Sequence, residues 1–125
     1  MRILLDTHIY LWWLQDHPKL SSPAREKIIS ATEVYVSSAS IWEASIKIAI
    51  GKLEVNIDEL VEQIAKSGFL ELPVSARHAM QLAHLPDIHR DPFDRMLVAQ
   101  AMCEPLRLLT ADAHVARYSE LVDMV

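Results

Sequence analysis

The stretch HRDPFDRMLVAQA, residues 89–101, begins with charge and turns almost wholly apolar. It sets two carboxylates three positions apart, Asp91 and Asp94, at the mouth of a helix that should be buried. Capping explains them well: Asp91 suits the N-cap, Pro92 the first helical position where its missing N–H costs nothing, and Asp94 the electropositive first turn. Three further acids occupy comparable places. Asp6 follows RILL, Asp112 lies two residues past LRLLT, and Glu43 interrupts the apolar run SASIWEASIKIAI. Each has a structural reading of its own. Asp6 can cap the next helix, Asp112 can serve a turn, and Glu43 can pair with Lys47 at i+4 for roughly 0.2–0.5 kcal/mol. Four carboxylates in one cleft, Asp6, Glu43, Asp94 and Asp112, would instead repel one another unless some protonate or a cation neutralises them. Oxygen donors with no cysteine cluster favour Mg²⁺ or Mn²⁺.

Whether the four meet depends on the elements that carry them. RILL (residues 2–5) reads as a short buried strand, and the segment from Thr7 as a helix whose IYLWWL run must be covered on more than one side. Ser22-Pro23 starts a second helix reaching about Ala31. VYVS (34–37) is a β-branched and aromatic strand. Serines 37, 38 and 40 offer caps for a helix to Ile50, which Gly51 closes. Helices over 56–66 and 75–85 flank a strand at 69–72. After the helix of the HRDPFDRMLVAQA stretch come a strand at 106–110, a helical piece over 111–118 and a last strand at 121–125. Alternation of this kind predicts an α/β fold, a parallel sheet with helices on both faces. Ligands of such sheets bind outside the carboxyl ends of the strands. Asp6 and Asp112 both fall on that edge.

Composition narrows the class. The chain has 125 residues, 51% of them hydrophobic and 23% charged, and no repeat or linker divides it, so residues 1–125 are expected to form one domain. One cysteine, Cys103, excludes an intrachain disulfide and points to a reducing, cytoplasmic setting. Asp6 and His8 break the N-terminal apolar run, so no signal peptide or membrane span is expected. The net charge of −5 disfavours a passive nucleic-acid coat protein, whose affinity comes from phosphate neutralisation. It leaves room for a nuclease whose acids are masked by metal. Of the six histidines, His8, His89 and His114 lie near the proposed edge. None has a paired metal-ligand spacing, and they are not taken as ligands.

LLDTHIYLWWL, SSASIWEASIKIAIGKL, HRDPFDRMLVAQA and LLTADAHVARY, in this order, closely resemble the PIN-domain ribonucleases of the VapC toxin type, and the resemblance spans essentially the whole chain. It implies a PIN-like three-layer sandwich. Asp6, Glu43 and Asp94 would be the family's first three acids and Asp112 its more variable fourth, holding one or two Mg²⁺ or Mn²⁺ ions. Water activated there would attack a phosphodiester of structured RNA, tRNA or mRNA, and so inhibit translation. Asp91 would support the site mainly as a cap. The resemblance further implies a homodimer and a small antitoxin that wraps the apolar helices and pushes a basic side chain into the acidic pocket.

Around this set, Thr7 and Thr110 could bond the carboxylates or cap locally, and Arg90 and Arg95 could hold RNA phosphate or balance the local charge. One alternative is a PIN-type nuclease for DNA or RNA processing without an antitoxin. Another is a non-catalytic α/β interaction module whose acids only cap helices. A phosphorylatable receiver domain fits poorly, because FLELPVS offers no acceptor Asp and LRLLTAD no following Lys.

Overall fold

A computed structural model describes residues 1–125. Five strands form one parallel sheet: β1 (Arg2–Leu5), β2 (Glu33–Ser37), β3 (Leu70–Leu72), β4 (Arg107–Thr110) and β5 (Val122–Met124), in the order β3-β2-β1-β4-β5. Successive residues of a strand point to opposite faces, and the core divides accordingly. Ile3, Leu5, Val34, Val36 and Leu109 face one layer, where they meet α1 (Thr7–Gln15), α2 (Ser22–Ser30) and α4 (Ile57–Lys66) through Ile9, Tyr10, Ala24, Ile28, Leu60 and Ile64. Leu4, Leu72, Leu108 and Val122 face the other, under Leu97, Val98 and Ala101 of α6 (Pro92–Cys103) and Val115 of α7 (Ala113–Ala116). The central strand is covered on both sides, so Ile3, Leu4 and Leu5 are fully buried. Each contributes roughly 1.5–3 kcal/mol by leaving water. The expected three-layer α/β architecture is therefore what the chain adopts.

α3 (Ser38–Ala49) follows β2 directly, with Ser37 as its N-cap, and packs against α1, α4 and α6. Gly51 closes it in the left-handed region, φ +75°. Chain direction then sets the location of the site. From β1 the chain builds outward through β2 and β3, then returns to the other side of β1 to lay down β4 and β5. Strand order reverses between β1 and β4, and a crevice opens beyond their carboxyl ends.

Several strand and helix ends shift by one residue from expectation, and at three places the physical reason is plain. Ser21, not Ser22, caps α2, its Oγ accepting from the Ala24 N–H at 3.2 Å, and Pro23 sits one residue deeper in the first turn. The helix expected over 75–85 is α5 (Ala76–Gln81) capped by Ser75, followed by a 3-10 turn over Leu82–His84. The 111–118 piece shrinks to one turn, α7, because Asp112 caps it and its N–H is held by Thr110. No helix of the structure is long and apolar enough to cross a membrane.

Candidate active site

β1 ends at Leu5, and Asp6 turns the chain into α1. Its backbone is extended (φ −72°, ψ 166°), and Oδ1 accepts the Ile9 N–H at 3.0 Å in an N-cap. The other oxygen accepts the Thr110 hydroxyl from the end of β4 at 2.5 Å. The Thr110 Oγ1 in turn accepts the Asp112 N–H at 3.1 Å. One buried threonine thus couples the ends of β1 and β4 across the crevice. Thr7 acts elsewhere: its hydroxyl donates to Ser40 Oγ at 2.9 Å and pins the first turn of α1 to that of α3. It touches no carboxylate directly, but it fixes the helix of Asp6 against the helix of Glu43.

Glu43 lies on the inner face of α3 and is only 4% exposed. Lys47, one turn on, reaches Oε2 at 2.9 Å. Oε1 is buried and has no hydrogen-bond partner. An ionised oxygen left bare in the interior is costly, so this arrangement is incomplete as it stands.

Asp91 caps α6, accepting from the Phe93 and Asp94 N–H groups at 2.9 and 3.1 Å. Asp94, in the first turn, points inward, with Oδ2 3.1 Å from His89 Nε2. That imidazole also lies 4.0 Å from Asp112 Oδ2 and stacks on the His114 ring at 5.7 Å. Asp112 gives its Oδ1 to the His114 N–H as the cap of α7. Donor atoms of His89, Asp94 and Asp112 all lie within 4.8 Å of one another, so these three could hold a metal ion.

Burial pushes the Asp94 carboxyl up to about 7, and Asp91, Asp6 and Glu43 push it further in the same direction against the His89 hydrogen bond. Asp6 is also raised, by burial first, with Glu43 adding to it and Thr110, Ile9 and His8 opposing. Asp6, Glu43 and Asp94 therefore feel one another's charge. Two carboxyls held above their ordinary range and a bare oxygen on the third describe a site short of positive charge. Carboxylate oxygens with at most one imidazole suit a hard divalent cation, and the residues present fit one.

Sequence reasoning named Asp6, Glu43, Asp94 and Asp112, and the crevice gathers all four. Arg90 is exposed beside the site. Arg95 commits its guanidinium to the Pro86 and Leu82 carbonyls and the Tyr118 hydroxyl, so it braces the preceding loop. Two neighbours of the acids lie outside the expected set. His89 has no ligand spacing in the sequence, although its place two residues before an N-cap lets the loop fold it back onto Asp94. Tyr118 gave no signal. Its hydroxyl donates to the His89 carbonyl at 2.9 Å and accepts the His89 N–H at 2.7 Å, a contact between residues 29 apart.

A family model described as PIN domain matches residues 3–121. Ribonuclease VapC22 of Mycobacterium tuberculosis is 31% identical over 117 residues, which cover 88% of this chain and 86% of that protein. Among solved structures, VapBC2 from Rickettsia felis bound to a DNA fragment from its promoter superposes with a TM-score of 0.75 at 17% identity, over 100% of this chain and 99% of that one. A toxin–antitoxin complex from Klebsiella pneumoniae gives 0.68 at 17% identity, over 98% and 96%. FitAcB from Neisseria gonorrhoeae gives 0.62 at 20% identity, over 90% and 89%.

Proposed function

The chain belongs to the PIN-domain family, and from that premise we propose that it is a divalent-metal-dependent endoribonuclease, the toxin of a toxin–antitoxin pair. The observation that carries this reading is the bare Oε1 of Glu43, buried among Asp6 and Asp94, whose carboxyls are themselves raised. Helix capping explains Asp91 fully and half of Asp6 and Asp112. It gives no reason to bury an unpaired carboxylate oxygen.

Asp6, Glu43, Asp94 and Asp112 would hold Mg²⁺ or Mn²⁺, with His89 as the one nitrogen donor in reach. The bound ion supplies Lewis-acid chemistry, activation of water and neutralisation of phosphate charge. The chain's own work is to aim the acids. Thr110 locks the rotamer of Asp6, the Thr7–Ser40 bond sets the spacing of α1 and α3, and the Asp91 cap with the Tyr118 clamp fixes Asp94 and His89. Lys47 holds the second oxygen of Glu43 and brings an ammonium to the rim. RNA is the substrate this reading names. The single sheet and the family match over residues 3–121 support taking 1–125 as one PIN domain. An antitoxin partner is supported by the structural neighbours, two of which are VapBC or toxin–antitoxin assemblies. A homodimer is supported by the exposed apolar stripe of α3 taken up below.

Cleavage of a structured RNA by purified protein in Mg²⁺, Mn²⁺ or EDTA, beside a folded Asp94→Asn variant, tests the proposal. Discrete cuts that need the ion and vanish in the variant are expected. Equal cutting by both proteins, or none under any condition, returns the acids to capping and favours the interaction module.

A further inference from the structure

We propose that a second cavity, adjoining the carboxylate crevice, binds the ribonucleotide next to the scissile bond, with its phosphate on Lys47 and Lys52 and its base against Trp12. The inference rests on the ribonuclease reading above and names residues that bind substrate without joining the chemistry. The cavity, about 340 Å³, lies between α1 and α3; Thr7, His8, Trp12, Ala44, Lys47 and Lys52 are among its walls. Thr7 follows Asp6 in the chain and Ala44 follows Glu43, so the cavity opens directly beside two of the acids. Lys47 spans the boundary, 2.9 Å from Glu43 Oε2. An ammonium has three N–H donors, and the contact to Glu43 Oε2 uses one of them, leaving two for an incoming anion.

Charge makes the cavity unusual for this molecule. The chain carries −5 overall. Lys47 is paired with Glu43, while Lys52, like Lys19, Arg77, Arg90, Arg95 and Arg117, makes no ion pair. Lys52 reaches the rim because the chain reverses at Gly51, φ +75°, and the Lys52 N–H bonds the Lys47 carbonyl at 2.8 Å. The reversal brings two ammonium groups and the His8 imidazole to one small opening in an acidic protein. A phosphate complements that opening; an acidic side chain of a protein would use only its cations. The aromatic wall favours the nucleotide. Trp12, half-buried, lies 6.0 Å from the tilted His8 ring, and these two rings line the space, while His17, outside it, stacks on Trp12 at 6.0 Å. Bases stack on such surfaces whatever their identity.

Steady-state cleavage of a structured RNA across a range of NaCl concentrations, with Lys52→Ala, Trp12→Leu and Lys66→Ala, tests the assignment. Lys52 is exposed and its side chain supports nothing, so its variant folds; circular dichroism checks the Trp12 variant. Lys66 ends α4 at the opposite edge of the sheet and is the control. Lys52→Ala is expected to raise KM roughly tenfold with kcat within about twofold, and to lower the salt slope by about one. Trp12→Leu should raise KM similarly with its salt slope intact, and Lys66→Ala should change neither quantity. Cleavage by Lys52→Ala with the parent's KM and salt slope overturns the subsite. The same kinetics together with lost binding of a protein partner assigns the cavity to that partner and overturns it equally. If the parent cleaves no RNA, the ribonuclease reading itself fails, and this inference falls with it.

Discussion

Asp94 shows how one residue can be a poor structural choice on its own and a good one beside the proposed cation. Its carboxyl is raised to about 7 by burial and by three neighbouring acids, so the folded chain binds that proton more tightly than the unfolded chain, whose Asp titrates near 3.8. The sign follows from linkage. Stability from this group is fully present below the unfolded value and is lost as pH rises through about 7. Asp94→Asn removes the titration without changing the shape. In EDTA the variant should therefore melt several degrees above the parent at pH 8, with the gap closing as pH falls toward 4. Added Mn²⁺ should reverse the order at pH 8, because only the parent keeps the carboxylate proposed to bind it. Thermal unfolding followed by circular dichroism measures both. A parent that matches the variant at every pH, with and without Mn²⁺, would remove the electrostatic strain on which the metal site is argued.

Elements, rather than residues, determine how much of this was legible in the sequence. The strands and the caps at Asp6, Ser37, Asn56, Asp91 and Asp112 are local matters, set by a short polar side chain two or three residues before the amide it accepts. Patterning therefore found the strand ends, and the strand ends located the acids. Asp123 and Arg107 are different. They pair across neighbouring strands β4 and β5, with Lys27 of α2 3.6 Å from the same carboxylate, and no local spacing announces them. The loop from Leu85 to Asp91 is different too, since it is held by Arg95 and by Tyr118, which lies 29 residues beyond His89 in the chain. Tyr118→Phe deletes a hydroxyl that holds both backbone groups of His89 and accepts from Arg95 at 3.1 Å. Leaving those groups unpaired costs about 1–3 kcal/mol. The variant should stay folded, weaken Mn²⁺ binding several-fold by calorimetry and lower cleavage. Unchanged Mn²⁺ affinity would show that His89 needs no clamp. At the sheet edge, Arg107 holds the Asp123 carboxyl below its ordinary range. That pair supports stability above the unfolded value, and the support is lost as pH falls through the folded one. Asp123→Asn should lower the urea midpoint at pH 7, with the gap to the parent narrowing below pH 4.

At the scale of the whole molecule, α3 has two faces with opposite duties. Ser40, Glu43 and Ala44 are buried toward the crevice and core, while Trp42, Ile46 and Ile50 are 63%, 41% and 60% exposed. Those three recur at i, i+4 and i+8, one stripe along one side of the helix. Beside it, Trp42 meets Phe93 edge-to-face at 5.1 Å, at the wall of an apolar cavity of about 390 Å³ that also includes Leu82 and Met96. A continuous apolar surface of this kind, free of charge along its centre, is rarely left to water. A two-fold axis placed over it buries the stripe of one copy against the same stripe of the next, with no second kind of surface required. Because Trp42 precedes Glu43 and Phe93 precedes Asp94, such a dimer would seat its interface beside both candidate sites and stiffen the helices that carry their acids. Ile46→Glu, pointing outward, sets a charge against its own image and should leave the fold intact by circular dichroism. Sedimentation should then report a dimer for the parent and a monomer for the variant, with Mn²⁺-dependent cleavage reduced in proportion to the dimer lost. A parent that sediments as a monomer would leave the stripe to a different protein and detach oligomeric state from catalysis.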